Sequence, residues 1–187
     1  MANYLDFDEL NTLVEYQFAE DKSKLSDTAE DLLILAYQRG AEDVQDMLDY
    51  FFYTDAIDVD FLSQAVNLKT KGKTALQRVQ DYVDNGGSLA EIQRVVATEC
   101  HRCYNNGAFD TANKVQNESG LIVNKTWKTM KDNRVRDTHH YLEGMTVRMG
   151  ERFYTYDGAS TEYPGQFGIP QEDINCRCVI EYSTESV

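Results

Sequence analysis

Cys176 and Cys178 stand two apart in Asn175-Cys-Arg-Cys, and His139 and His140 lie upstream in a loop-rich stretch. Two thiolates and an imidazole form a donor set that suits zinc. On a strand, residues two apart share a face but sit roughly 6 to 7 Å apart at their Cα atoms, so the pair is not a ready-made chelating knuckle. Cys100 and Cys103, three apart on a predicted helix, share a face and can complete a four-ligand set. The same two thiols suit a packed helix face equally well, because a buried cysteine behaves as a small apolar residue. One thiol beside one imidazole is also the minimum for nucleophilic catalysis, with Cys176 or Cys178 attacking and His139 or His140 as base. The chain has no glycine-rich nucleotide loop, no Gly-x-Ser-x-Gly elbow and no His-Glu-x-x-His, so no catalytic residue is assigned.

Glu99, Arg102, Cys103 and Asn106 fall on one side of the same predicted helix. That arrangement is either a polar site or, as favoured here, a network that holds a loop-rich tail against the helix, because buried polar groups must be paired. Two basic stretches stand out. Lys69, Lys71, Lys73 and Arg78 contain no acid, and Lys125, Lys128, Lys131, Arg134 and Arg136 are interrupted only by Asp132. The plain expectation is a linker followed by an exposed basic edge, and the alternative is a phosphate-contacting surface. Glu99, Asn106, Arg134, Arg136, Lys69, Lys71 and Lys73 are accordingly the candidate binding residues.

Of the 187 residues, 42% are hydrophobic, enough to bury a core, and the formal net charge is −14. Residues 1–66 carry sixteen acids and three bases, against sixteen and fifteen in 67–187, so the formal charges of the two parts are −13 and −1. An acidic front half repels phosphate and suits a solvated helical surface or a basic partner. The longest apolar run, Leu32 to Tyr37, is too short to cross a bilayer, so no membrane association is expected. The start has neither a basic segment nor an apolar stretch, and the chain is expected to remain in the cytoplasm where it is made. In that reducing compartment the four cysteines are free thiols or metal ligands rather than a disulfide framework.

The elements that must position these groups divide in two. Leu10, Leu13, Val14 and Phe18 recur at helical spacing and predict a first helix from Asp6. Asp27 with Glu30 predicts a capped start for a second, which Gly40 ends or bends before Val44, Met47, Leu48, Phe51 and Phe52 continue the pattern. Asp58 caps a short helix through Val66. Lys69 to Thr74 reads as a hinge, and Leu76, Val79 and Val83 mark a helix stopped at Asn85-Gly86-Gly87. Ser88 with Glu91 forms a capping box for a long helix reaching about Gln116. Beyond Gly120, short β-branched and aromatic segments at Leu121, Thr146, Phe153 and Cys178 predict strands, with a long ordered loop and a hairpin among the later glycines. Trp127 is expected to plug the core between helix and strands. The fold class is α+β: an acidic helical region over 1–68, a basic linker and helix over 69–87, and a mixed domain with a long helix and short antiparallel strands over 88–187.

The order of motifs adds a resemblance. Trp127-Lys-Thr-Met-Lys-Asp-Asn-Arg-Val-Arg-Asp-Thr-His139, then Leu142-Glu-Gly144, Phe153, Pro164-Gly165 and Ile174-Asn-Cys-Arg-Cys178 together resemble the phage Mu F-like minor head proteins, head morphogenesis proteins of tailed phages. Ala97 to Gly107 resembles that family's Thr-Glu helix with its Asn-x-Gly-like break, and the resemblance covers about residues 88–182. It implies a minor capsid protein of a phage or prophage, present in the virion and in the host cytoplasm during assembly. The implied partners are the portal or other capsid and procapsid proteins, and packaged DNA. The family pattern often has Cys-x-x-Cys where this chain has Arg136 and His139, and many members carry a histidine shortly before Asn-Cys-Arg-Cys that is missing here. The zinc set is then His139, Cys176 and Cys178 with Cys103 as fourth ligand, Cys100, His140 or water being the alternatives. The competing class is an effector enzyme, nuclease-like or ADP-ribosyltransferase-like, using His139 with Arg134, Arg136 and Glu99.

Overall fold

The computed structural model describes residues 7–49 and 58–185. Five helices come first: α1 (Phe7–Glu20), α2 (Leu25–Leu48), α3 (Val59–Val66), α4 (Ala75–Asp84) and α5 (Leu89–Ser119). The rest is mixed: β1 (Ile122–Lys128), α6 (Asp137–Leu142), β2 (Thr146–Arg148), β3 (Phe153–Tyr154), β4 (Ser160–Thr161), α7 (Pro170–Asp173) and β5 (Val179–Glu185). The fold is α+β. Asp6, Phe51 and Phe52, to which the sequence assigns helix, lie outside the described residues.

The helix starts follow from their side chains. Ser88 Oγ accepts from the Glu91 amide while Glu91 Oε2 accepts from the Ser88 amide, the expected capping box, and Thr74 with Gln77 repeats it at α4. Asp58 accepts from the amides of Asp60 and Phe61 and starts α3 as expected. Asp27 caps nothing: α2 starts two residues earlier, behind a Lys24 that makes no side-chain cap bond. Asp27 instead places its charge in the first turn, where it favours the positive end of the helix dipole.

Gly40 does not end α2, which runs through it to Leu48, and Gly107 does not break α5. Both glycines lie where α2 and α5 touch. A Cβ on Gly40 would stand 1.9 Å from the Tyr104 carbonyl oxygen, and one on Gly107 would stand 2.1 Å from that of Tyr37. Without side chains there, the two backbones approach more closely than any other residue type allows. Around the crossing, one apolar cluster gathers α1 to α4 on the N-terminal part of α5, including Val14, Leu33, Val79, Ile92 and Cys100. A second joins Val44, Ala108 and Ala112 to Trp127, Phe153 and Ile180. No helix among the described residues is long and apolar enough to cross a membrane.

The sheet has the order β2-β1-β5, all antiparallel, and β3 and β4 form a separate hairpin in the glycine-rich stretch. Along β1, Val123, Lys125 and Trp127 are fully buried, the period of two that a strand imposes. Trp127 fills the core as expected. Lys125 does not lie on an exposed basic edge, because alternation turns it inward with its neighbours. Its Nζ donates to the carbonyls of Glu151 at 2.8 Å and Glu162 at 3.1 Å, and burial pushes its pKa down to about 8.

Candidate metal centre

α6 brings His139 into the interior, and the turn between α7 and β5 brings Cys176 and Cys178 against it. His139 Nδ1 lies 3.7 Å from Cys176 Sγ and 3.4 Å from Cys178 Sγ. The ligand atoms of the three residues all fall within 4.8 Å of one another. Bond lengths of ~2.0 Å to nitrogen and ~2.3 Å to sulfur at a tetrahedral ion separate N from S by ~3.5 Å, so the donors already stand at the spacing such an ion sets. Nε2 of the same ring lies 2.9 Å from Glu172 Oε2, yet it is buried without a properly directed hydrogen bond. Glu172 is itself held by the hydroxyl of Thr138, one residue before the histidine. A carboxylate behind one ring nitrogen orients the other as a lone-pair donor, the arrangement that supports metal-binding imidazoles.

The cysteine segment is fixed from three sides. His101 on α5 bonds the Cys178 carbonyl through Nε2 at 2.7 Å, and Asn105, one turn on, donates to the same carbonyl at 3.3 Å. The Asn175 amide donates to Thr98 Oγ1, and Arg136 donates to the Ile174 carbonyl. Arg177, between the cysteines, closes a two-pronged pair with Asp132 at 2.8 Å on each prong, which holds the Asp132 carboxyl well below the usual carboxylate range. Trp127 meets the His139 ring edge-on at 5.4 Å, and Phe167 stacks on it at 5.5 Å.

The two thiols do not hold their protons equally. A hydrogen bond from Cys178, opposed by burial and helped by His101 and His139, brings Cys176 well below the ordinary thiol range. Donating to Cys176, together with burial, pushes Cys178 well above it. Two thiols and an imidazole in a closed site make a metal-binding set, and binding an ion would release whatever protons the thiols still hold. Nucleophilic chemistry is poorly served by the same geometry. His139 is 1% exposed and the two cysteines 2% and 3%, so no substrate group reaches them. The adjoining crevice, lined by Arg134, Arg136, His139 and Cys178, holds only about 10 Å³. That is room for about one water, which can reach an ion as its fourth ligand.

The residues singled out in the sequence separate into two places. Cys103 does not join the cluster. Residues two apart on an α-helix point about 200° apart, and His101 faces the cysteine segment, so Cys103 faces away. Its Sγ lies 3.8 Å from the Ala65 carbonyl oxygen, while Cys100 sits in the helical core and His140 is exposed. Glu99 and Arg102 form the expected network: Arg102 Nε and Arg78 Nη2 reach the two Glu99 oxygens at 2.8 and 2.7 Å, and Arg102 Nη2 holds the Ala65 carbonyl. Burial raises the Glu99 pKa, but the two guanidinium groups outweigh it and hold the carboxyl below the usual range. Asn106 donates to Asp110 one turn along. Arg134 lies beside Asp132 at 3.5 Å and is mostly exposed. Lys69, Lys71 and Lys73 are displayed on a tight turn on the Glu99 side of α5. Sequence reasoning does not single out His101, Asn105 or Glu172 as partners of the cluster. The i, i+4 spacing of His101 and Asn105 was the available signal, whereas Glu172 carried none.

Two relatives place these features. An NAD(+)--arginine ADP-ribosyltransferase EFV from Enterococcus faecalis is 30% identical over 65% of this chain and 31% of its own length. The minor head protein GP7 of Bacillus phage SPP1 is 30% identical over 51% of this chain and 30% of its own. The chain thus spans about a third of the length of these relatives. No solved structure matches. The description "Phage Mu protein F like protein" covers residues 60–181, which carries the likeness upstream from α5 through α4 and α3 and takes in both the cysteine cluster and the Arg78–Glu99–Arg102 network. The chain belongs to the phage Mu protein F-like family.

Proposed function

We propose that this chain is a minor head protein of a tailed phage or prophage, acting in head morphogenesis inside the capsid or at the portal. The observation that carries the reading is the match over 60–181 to a phage head family, joined by the likeness to a phage minor head protein. The charge distribution supports a docking role. The front of the chain carries −13, and acids such as Glu15, Glu30, Asp31 and Glu42 line exposed faces of α1 and α2 beside exposed Leu13, Tyr16 and Leu35. Exposed apolar side chains interspersed with acids suit a basic capsid or portal surface.

In this reading one zinc ion is held by His139, Cys176, Cys178 and a water, and its work is structural. It pins the α7–β5 turn to α6 and so shuts the mixed half of the fold. Cosedimentation with purified procapsids or portal rings tests the docking role. The chain should sediment with them at physiological salt, and the triple variant Glu30→Lys, Asp31→Lys, Glu42→Lys should not, although it folds. Failure of the wild-type chain to associate with either particle overturns the reading.

The enzyme reading rests on the name of the E. faecalis relative. The burial of His139, and Arg136 bound to the Ile174 carbonyl, count against it here. Incubation with NAD and an arginine-bearing acceptor should yield no transferred ADP-ribose; transfer lost in His139→Ala would replace the head-protein reading.

A further inference from the structure

A cleft of about 600 Å³ opens over the N-terminal part of α5, on the face that carries Glu99 and Arg102. Its walls are the turn Thr70–Lys73, one side of α4, the N-terminal part of α5 and the loop from Gly165 to Ile174. The volume falls in the range of small-molecule sites, about 300 to 1,000 Å³. Its charge runs against that of the chain. Six cations line it, Lys69, Lys71, Lys73, Arg78, Arg94 and Arg102, against three acids, so the cleft is formally +3 in a chain of −14.

The acids are already engaged. Lys73 meets Asp81 at 2.5 Å, and Glu99 is shared by Arg78 and Arg102. The Asp173 oxygens accept from the Phe167 and Ile169 amides. Lys69 and Lys71 make no ion pair among the described residues. Arg102 is 4% exposed, and its Nη1 is a buried donor without an acceptor, although Nε and Nη2 of the same guanidinium are both used. A buried guanidinium donor left unspent costs free energy unless an acceptor arrives.

The backbone of the lysine turn is closed by its own hydrogen bonds. Thr70 and Lys73 exchange backbone hydrogen bonds at 2.9 and 3.3 Å, and Lys71 and Gly72 between them have φ of 52° and 82°. Two successive positive φ angles make a two-residue hairpin turn. Opposite it, Gly165 presses on the Arg102 backbone, where a Cβ would lie 3.3 Å from the Arg102 Cα. Apolar surface from Leu68, Tyr82, Val95 and Ile174 completes the lining.

We propose that this cleft binds a phosphorylated small molecule of nucleotide size, its phosphates on the Lys69–Lys73 turn and the Arg78–Arg102 pair, its apolar part against Tyr82 and Leu68. Planar guanidinium groups held by a carboxylate, with mobile ammonium groups around them, recognise phosphate oxygens with little reorganisation. The proposal stands on the cleft alone and is independent of the head-assembly reading.

Isothermal titration of the full chain with ATP, with pyrophosphate and with a short single-stranded oligonucleotide, in phosphate-free buffer, tests it. ATP should bind saturably with Kd below about 1 mM, and pyrophosphate more weakly. Lys69→Gln with Lys71→Gln, both exposed and outside the core, should weaken ATP at least about tenfold while the thermal midpoint stays in place. Arg102→Lys, which keeps the charge and loses the fork, should weaken ATP more than the double variant does. The absence of saturable ATP binding overturns the proposal, and so does ATP binding unchanged in the lysine variant. Binding confined to the oligonucleotide assigns the charge to a nucleic-acid strand instead and equally overturns a small-molecule site.

Discussion

Gly40 of α2 and Gly107 of α5 serve a single helix crossing, each leaving space for the carbonyl oxygen of an aromatic residue on the other helix, Tyr104 and Tyr37 respectively. A methyl group at either position meets backbone, which cannot swing aside as a side chain can. Gly40→Ala and Gly107→Ala should each lower stability by about 3 kcal/mol, more than the ~1 kcal/mol that alanine gains within a helix. For a chain of this length that is a fall of about 5 to 10 °C in Tm. Gly150→Ala, with open space around it, should leave Tm unchanged, and equal effects at all three positions would contradict the packing described.

Glu99 provides a second prediction. It neutralises two guanidinium groups in the interior, so Glu99→Gln leaves them facing one another and should cost about 3 to 5 kcal/mol at pH 7. Its pKa is lower in the fold than in the unfolded chain, so its contribution is present above about pH 4.5 and fades as pH falls through the folded value. Urea unfolding of the two proteins should therefore converge at low pH. A gap that stays constant down to pH 3 would contradict the ion network.

Asp110 carries the opposite sign. Burial, partly relieved by the Tyr37 hydroxyl that donates to it at 2.7 Å, lifts its pKa to about 6. A carboxyl raised in the fold favours the folded state below its unfolded value, near 4, and that advantage is lost as pH rises through about 6. Asp110→Asn keeps an acceptor for Tyr37 without the buried charge. It should raise stability by about 1 to 2 kcal/mol at pH 7.5 and by almost nothing at pH 4. Stabilisation of the same size at both pH values would show that the charge is not the cause.

Features set by local chemistry could be read from the residues alone. Ser88 with Glu91 and Asp58 cap as their types require, and Trp127 and the Glu99–Arg102 network lie where periodicity places them. Features set by distant parts of the chain could not. Gly40 reads as a helix breaker, because a glycine's freedom looks the same whether it serves a turn or a close approach. Lys125 read as part of a basic edge because charge outweighed the strand alternation that turns it inward. At the thiol–imidazole cluster, three of the four residues expected as ligands meet. Cys103 was placed by face-sharing with Cys100, and only the docking of α5 through His101 reveals that this face looks the other way. Glu172 was invisible because a carboxylate behind an imidazole has no fixed spacing in sequence.

The cysteine cluster is where the account is most exposed to contradiction. With zinc bound, chelation of the purified protein should lower Tm by about 10 °C, and returning zinc, but not magnesium, should restore it. Cys176→Ser should lower Tm to about the chelated value, and chelator should then have no further effect.

Metal content, measured alongside a thiol count on the same sample, is the most direct test. Protein purified without chelator should carry one zinc per chain. Cys176 and Cys178 should be protected from thiol reagents until the zinc is removed, and His139→Ala should lose both metal and protection. A native chain that carries no zinc, with Cys176 and Cys178 protected to the same degree before and after chelation, would leave His139, Cys176 and Cys178 a packed thiol–imidazole contact and contradict the metal centre.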